Sequence, residues 1–435
     1  MEHFWDYSVW GSFNLFGVLL ISLLAANALK QLIRPLRASL IPTSVLGGAI
    51  LLIIAAVFRG VTDQVLFDTQ FFGGNGSNNL EILTYHTLAL GFIASALKST
   101  GGKFTRERSV EIFNTGVNTV STYLLQGILG LCITMIAARL VAGFFPAAGI
   151  LLPFDYGQGT GQALNYGGIY ESQYGFSGGK SFGLTIAALG FLCASIGGVI
   201  HLNLLRRRGM IVLPGEEKQV LYFEKIQADN EIPMQGSMDK MTVQIALIAA
   251  GYFLAYLLMM TLGTILPGLR SVVYGFNFLL GVMAATLIKA VMQLLKKVGA
   301  IKRQYTNNFL LTRASNFFFD IMVVAGIAAI RLSILKQYWG IILILGISGL
   351  VATYAYNRIT ARTLFPDYAE EQFLTMVGML TGTASTGVIL LREIDGSFRT
   401  PAADNLVYQN FPAIVFGFPM MLLAALAPEK PALTL

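Results

Sequence analysis

Several stretches of this chain stay apolar for about 20 residues or more with at most one charge, and nothing constrains the fold more. Asn14 to Ile33, Phe182 to Leu202 and Val272 to Leu295 are examples. Each matches the ~20 residues needed to cross a ~30 Å hydrocarbon core. A run of this kind cannot be solvated in water, so the expectation is an all-α polytopic membrane protein. Of the 435 residues, 12% are charged, against about 25% in a soluble globular domain. Soluble enzymes, nucleic-acid binders and secreted disulfide scaffolds are thereby excluded. Cys132 and Cys193 both fall inside apolar spans and read as small buried hydrophobes rather than a disulfide. The first residues lack a basic leader, so the first span is expected to act as its own insertion signal.

The pattern gives ten spans, near 13–33, 44–58, 80–98, 110–137, 181–203, 241–265, 272–295, 309–331, 339–357 and 405–427. The net charge of +7 is explained by where the basic residues stand, because Lys and Arg crowd cytoplasmic loops. Lys30, Arg34 and Arg37 follow the first span, and Lys98, Lys103, Arg106 and Arg108 follow the third. Arg206, Arg207 and Arg208 follow the fifth, and Lys296, Lys297, Lys302 and Arg303 follow the seventh. Alternate loops hold only scattered cations such as Arg59, Arg139 and Lys180. Both termini are therefore expected outside, with the long polar loop at 204–240 in the cytoplasm.

Two segments do not read as simple spans. One runs from Pro146 to Lys180 and the other from Leu364 to Phe398. Each holds a cluster of Gly, Thr, Ser and Gln between two moderately apolar arms. Backbone that breaks at membrane depth is tolerated only inside protein or along a wet cavity, so both are read as re-entrant hairpins. The first lies between spans four and five and enters from outside. The second lies between spans nine and ten and enters from inside. That places an inverted repeat over 1–203 and 241–435, five spans and one hairpin each, joined by the linker 204–240. Broken segments at corresponding places in two halves point to a carrier's binding site.

The candidate substrate residues follow from that placement. Gln158, Gly159, Thr160, Gly161 and Gln162 form the first tip, and Thr383, Ser385, Thr386 and Gly387 the second. Glycine leaves backbone N–H and C=O groups open to a ligand, and the hydroxyls and amides add neutral donors and acceptors. Arg392, on the second return arm, is a candidate fork for a carboxylate, or else a local partner of Glu393 or Asp395. Charged groups at depth cost about 2.5–3.5 kcal/mol each on insertion scales, which singles out Asp320. With Asn316, four residues earlier on the same helix face, it could supply oxygens to Na⁺. Asp155, just before the first tip, and Glu171, on its return arm, come after Asp320 as acidic candidates, since interfacial placement would explain either of them. No Cys/His cluster has metal spacing, so no metal site and no cofactor beyond a coupling ion are expected.

With these residues in view, the chain resembles the bacterial glutamate:sodium symporters, distantly related to the 2-hydroxycarboxylate transporters. The resemblance rests on Gly378-Met-Leu-Thr-Gly-Thr-Ala-Ser-Thr-Gly387 and the continuation to Asp395, on Gly157-Gln-Gly-Thr-Gly-Gln-Ala163, and on Ile41-Pro-Thr-Ser-Val-Leu-Gly-Gly48. The first tip reads Asp155-Tyr-Gly-Gln-Gly-Thr-Gly161 where the best-known branch has a Ser-Gly-Gly-His-Gly-Thr-Gly sequence, so the chain is similar to a divergent branch. The resemblance implies a five-plus-five inverted repeat, elevator-type movement, a homodimer in the bacterial inner membrane, and Na⁺-coupled uptake of glutamate or a similar acidic amino acid. The alternatives are an Na⁺- or H⁺-coupled carrier of another carboxylate such as citrate or malate, and an intramembrane protease. The last would use Ser348 in Gly346-Ile-Ser-Gly349 with His86 or His201 as base, or Asp155 with Asp320 as a dyad.

Overall fold

The computed structural model describes residues 3–98, 105–209, 238–267, 270–275, 277–299, 305–332, 338–395 and 400–435. Most of the linker at 204–240 lies outside them. The described residues form helices α1 (Tyr7–Leu32), α2 (Arg34–Ala38), α3 (Thr43–Thr62), α4 (Gly76–Ala96), α5 (Arg106–Leu140), α6 (Leu152–Tyr174) and α7 (Gly179–Arg207). After the linker come α8 (Lys240–Ile265), α9 (Arg270–Gly275), α10 (Asn277–Lys297), α11 (Asn308–Ala328) and α12 (Trp339–Leu364). The chain closes with α13 (Ala369–Thr381), α14 (Ala384–Arg392), α15 (Ala402–Tyr408), α16 (Asn410–Leu426) and α17 (Pro431–Thr434). No strand occurs among the described residues.

Among the described residues, eight helices are long and apolar enough to cross a membrane: α1, α3, α5, α7, α8, α10, α11 and α12. The architecture is that of an all-α polytopic membrane protein. Two of the ten expected spans differ. The third is the 21-residue α4, whose Asn78, Asn79, Glu81 and His86 keep it below the apolarity of the others. The tenth is split at Gln409 between α15 and α16. The 17 residues of α16 reach about 26 Å at 1.5 Å per residue.

The chain forms two compact units. One comprises 86–103 and 211–320. Its core sets Ile93, Ala94 and Leu97 of α4 against Ile248, Ala285, Leu311 and Ala314. Ser315 donates to the Gly91 carbonyl at 2.9 Å. Lys289 donates to the carbonyls of Ala96 and Lys98 at 3.2 and 2.7 Å, meeting acceptors that the end of a helix leaves without an intrahelical partner. The other unit comprises 1–85, 104–210 and 321–435, and so takes residues from both sequence halves.

Within this second unit α5 serves as a ruler for two helical hairpins. The first leaves the Leu140 end of α5 and doubles back along it. Thr134 fixes the start: its hydroxyl donates to Pro146 O at 2.7 Å and accepts from Gly149 N at 3.0 Å. Further on, Gly157 abuts the Tyr123 ring. The second hairpin runs the opposite way. Gln372 Nε2 donates to Thr115 Oγ1 at 3.4 Å, and Leu380 O accepts from Gln126 Nε2 at 2.9 Å. The hairpins thus approach from opposite ends of α5 and converge between Tyr123 and Gln126.

Candidate functional site

The first hairpin turns at one residue. Gly159 has φ 73° and ψ −165° inside α6, a region essentially closed to residues with a Cβ. The reversal is visible in the Phe154 and Tyr166 rings, whose centroids lie 4.1 Å apart. Twelve residues of unbroken helix would separate them by about 18 Å. Tyr156 braces the descending arm by donating to Gly346 O on α12. The ascending arm lies along α7, with the α6–α7 turn closed by Glu171, which accepts from Lys180 N at 3.1 Å. Glu171 is therefore a turn-capping residue in this structure. Lys180 Nζ also pairs with Glu81 at 2.6 Å.

The second hairpin turns at Gly382 and Thr383, between α13 and α14. Its arms touch where Gly378 faces Gly387. A Cβ on Gly378 would stand 2.7 Å from the Gly387 Cα, so the two helices approach at a distance only glycine permits. At the base, Glu370 accepts from Arg358 through both oxygens and from His201 Nε2 at 3.0 Å. That ties the hairpin to α12 and α7. Thr383 is the N-cap of α14, and its side chain caps no backbone N–H. The first N–H groups of α14 therefore stand at the tip without an intrahelical partner.

The tips meet. A Cβ on Gly159 would lie 2.9 Å from Thr383 Cγ2, with Phe191 and Met322 next nearest. Thr381 O packs on Gly190 of α7. Thr160 donates to Met322 O at 3.2 Å, and its side chain fills the space over Gly326. The two hairpins also carry buried polar atoms with no hydrogen-bond partner among the described residues. They are both carboxylate oxygens of Asp155, Gln162 Nε2, the Tyr166 hydroxyl and Thr386 Oγ1. Asp155 is 0% exposed, and its Oδ1 faces Gly183 on α7. A bare buried carboxylate is among the most expensive groups a protein can hold. This one needs a cation, a donor or a proton. No lysine, arginine or histidine occurs on the hairpin arms between 145 and 174 or between 369 and 391. The one ionisable carboxyl on the first hairpin near its tip is Asp155, and the groups facing an anion are neutral donors and helix N-termini.

The remaining candidates are distributed as follows. Gln158 is half-buried, and Gly161 and Gly387 are buried. Gln162 Oε1 accepts from Asn165 at 3.2 Å. Of Ser385 only the backbone, in the first turn of α14, is described. Arg392 ends α14, about 12 Å along the helix from the tip, so its position matches a local charge partner better than a tip ligand. Burial pushes the neighbouring Glu393 carboxyl up, and Arg392 and Lys30 pull it back. Asp395 accepts from Thr400 N and Oγ1 at 2.8 and 2.7 Å. Asn316 and Asp320 lie on α11 with exposed side chains, whereas Asp155 is wholly enclosed. Ser348 donates to carbonyls of its own helix, Ile344 O at 2.6 Å and Leu345 O at 3.2 Å. His201 is engaged with Tyr354 and Glu370.

Sequence reasoning missed Tyr166 and Gln126. Both carried a signal: Tyr166 falls one turn after Gln162, and Gln126 is an amide in the middle of an apolar span. No protein-family model matches the chain, and no curated protein matches it.

Proposed function

We propose that this chain is a secondary active carrier that moves a small carboxylate, glutamate or a similar acidic amino acid, with Na⁺. The observation that carries this reading is the meeting of two hairpin tips, Gly159 against Thr383, beside an enclosed and unpartnered Asp155. Hairpins entering from opposite ends of α5 are what two inverted five-span repeats would produce, with the first tip open to the outside and the second to the cytoplasm. The substrate carboxylate would face the N-termini of the two return arms. Na⁺ would take oxygens, with Asp155 favoured over Asn316 and Asp320 because it is enclosed. Either ligand would stabilise closed tips for the other, which is the condition for coupling. Movement of the hairpins past a static scaffold, in a homodimer of the bacterial inner membrane with both termini outside, completes the reading.

One observation favours a second version. A carboxylate with no partner is equally suited to carry a proton, and H⁺ coupling with a citrate- or malate-type substrate would use the same geometry. Uptake of labelled L-glutamate into proteoliposomes distinguishes them. An inward Na⁺ gradient is compared with an equal K⁺ gradient and with a pH gradient, using unlabelled aspartate, citrate and malate as competitors. Uptake driven by Na⁺ and blocked by aspartate is expected. Failure of every gradient and competitor would remove the carrier reading.

A further inference from the structure

The face of α5 that runs from the Arg106 end to the tips is polar over its whole length. Thr115, Asn118, Thr122 and Gln126 recur at helical spacing on this face, spanning about 16 Å. All four are 4% exposed or less. Their partners come from two neighbouring helices, α12 and α13. Asn118 Nδ2 donates to Asn357 Oδ1 on α12 at 2.8 Å, and Asn357 Nδ2 donates to Thr122 Oγ1 at 3.2 Å. Gln126 Nε2 donates to Thr353 Oγ1 at 2.7 Å and to Leu380 O of the second tip at 2.9 Å. Lower down, Asn405 Nδ2 on α15 donates to Gln372 Oε1 at 3.1 Å and to the Tyr368 hydroxyl at 2.9 Å.

The pattern of satisfied and unsatisfied atoms is one-sided. The amide nitrogens of Asn118, Gln126 and Asn405 are all used, while Asn118 Oδ1, Gln126 Oε1 and Asn405 Oδ1 accept nothing among the described residues. Turning the Gln126 amide would not help, since its oxygen would then face Leu380 O. Helices that pack in a bilayer also join Thr, Asn and Gln side chains across their interfaces, but a network that rigidifies a core is fully satisfied, and this one is not. Three buried oxygens in one seam require positive neighbours, either water hydrogens or a hard cation. An anion would require the reverse, exposed donors. At the Arg106 end the guanidinium of Arg108 pairs with Glu111 and stands 3.7 Å from Asp404.

We infer that this seam is a hydrated track for the coupling cation between the hairpin tips and the Arg106 end of α5. The inference rests on the carrier reading and adds a route for one of its two ligands. It is tested in full-length protein with Cys132 and Cys193 replaced, carrying Thr115→Cys or Thr122→Cys, with Ala194→Cys, equally buried on α7, as control. Reaction with a small cationic methanethiosulfonate is measured in NaCl and in choline chloride. The seam cysteines should react about tenfold faster than Cys at 194, since reactivity follows local opening, and Na⁺ should slow them severalfold without changing the control. Labelling as slow as the control overturns the track. Fast labelling indifferent to Na⁺ makes it a water seam only and overturns the cation assignment. Gln126→Leu supplies a second measurement: the Na⁺ concentration for half-maximal uptake should rise severalfold, with Gln126→Glu restoring it. Failure of the carrier reading itself would show as absent uptake in the unmodified protein, which the labelling does not require.

Discussion

Replacing Gly159 by alanine tests the tip geometry most directly. The residue sits at φ 73° and ψ −165°, and holding a non-glycine residue in such a region costs about 1–3 kcal/mol. The new methyl group would also stand 2.9 Å from Thr383 Cγ2, closer than carbon atoms pack. The two contributions separate, because Thr383→Ser removes Cγ2 and leaves the backbone demand untouched. Taking about 2 kcal/mol for Gly159→Ala, the closed tips should be depopulated by a factor of about 30. The assays are thermal unfolding of the purified protein and initial uptake rates at saturating substrate. We expect Gly159→Ala to lower both, Thr383→Ser to lower neither appreciably, and the double variant to recover part of the loss. Unchanged stability and uptake in Gly159→Ala would refute the assignment of the turn to this residue. Full recovery in the double variant would show that the contact mattered and the backbone angle did not.

Other outcomes follow from the same geometry. If Na⁺ binds at Asp155, Na⁺ at about 100 times its dissociation constant should stabilise the unmodified protein by about 2.7 kcal/mol, read as a rise in melting temperature. Asp155→Asn should abolish that rise, and an equal response in both proteins would move the ion elsewhere. Glu370→Gln removes a carboxylate shared by Arg358 and His201, whose side chains are 15% and 5% exposed. Breaking such a pair costs about 3–5 kcal/mol when fully buried and less here, so a lower melting temperature is expected, and no change would show that the hairpin base is held otherwise. Thr134→Val leaves Gly149 N–H without its acceptor at nearly constant volume. It should cost about 1–3 kcal/mol, read as accelerated thermal unfolding, and a neutral result would mean that water substitutes.

The membrane character and the places where the backbone must break were legible in the sequence. Both are local properties: twenty apolar residues cannot be solvated in water, and a Gly/Thr/Ser/Gln cluster cannot continue a lipid-facing span. Asp155, Gly159 and Thr383 could be named for the same reason. Their relative importance could not. Asp320 and Asp155 are both carboxylates in apolar surroundings along the chain, and enclosure is a property of neighbours distant in sequence. Arg392 follows Gly387 by five residues, yet the helix between them carries it away from the tip. The amide oxygens of Asn118, Gln126 and Asn405 are unremarkable one at a time. They form a track because α5, α12, α13 and α15 pack so that each amide nitrogen finds an acceptor and each oxygen does not. Composition and spacing determine which groups a bilayer will tolerate at depth, whereas the pairing of those groups is a long-range property that only the packed helices establish.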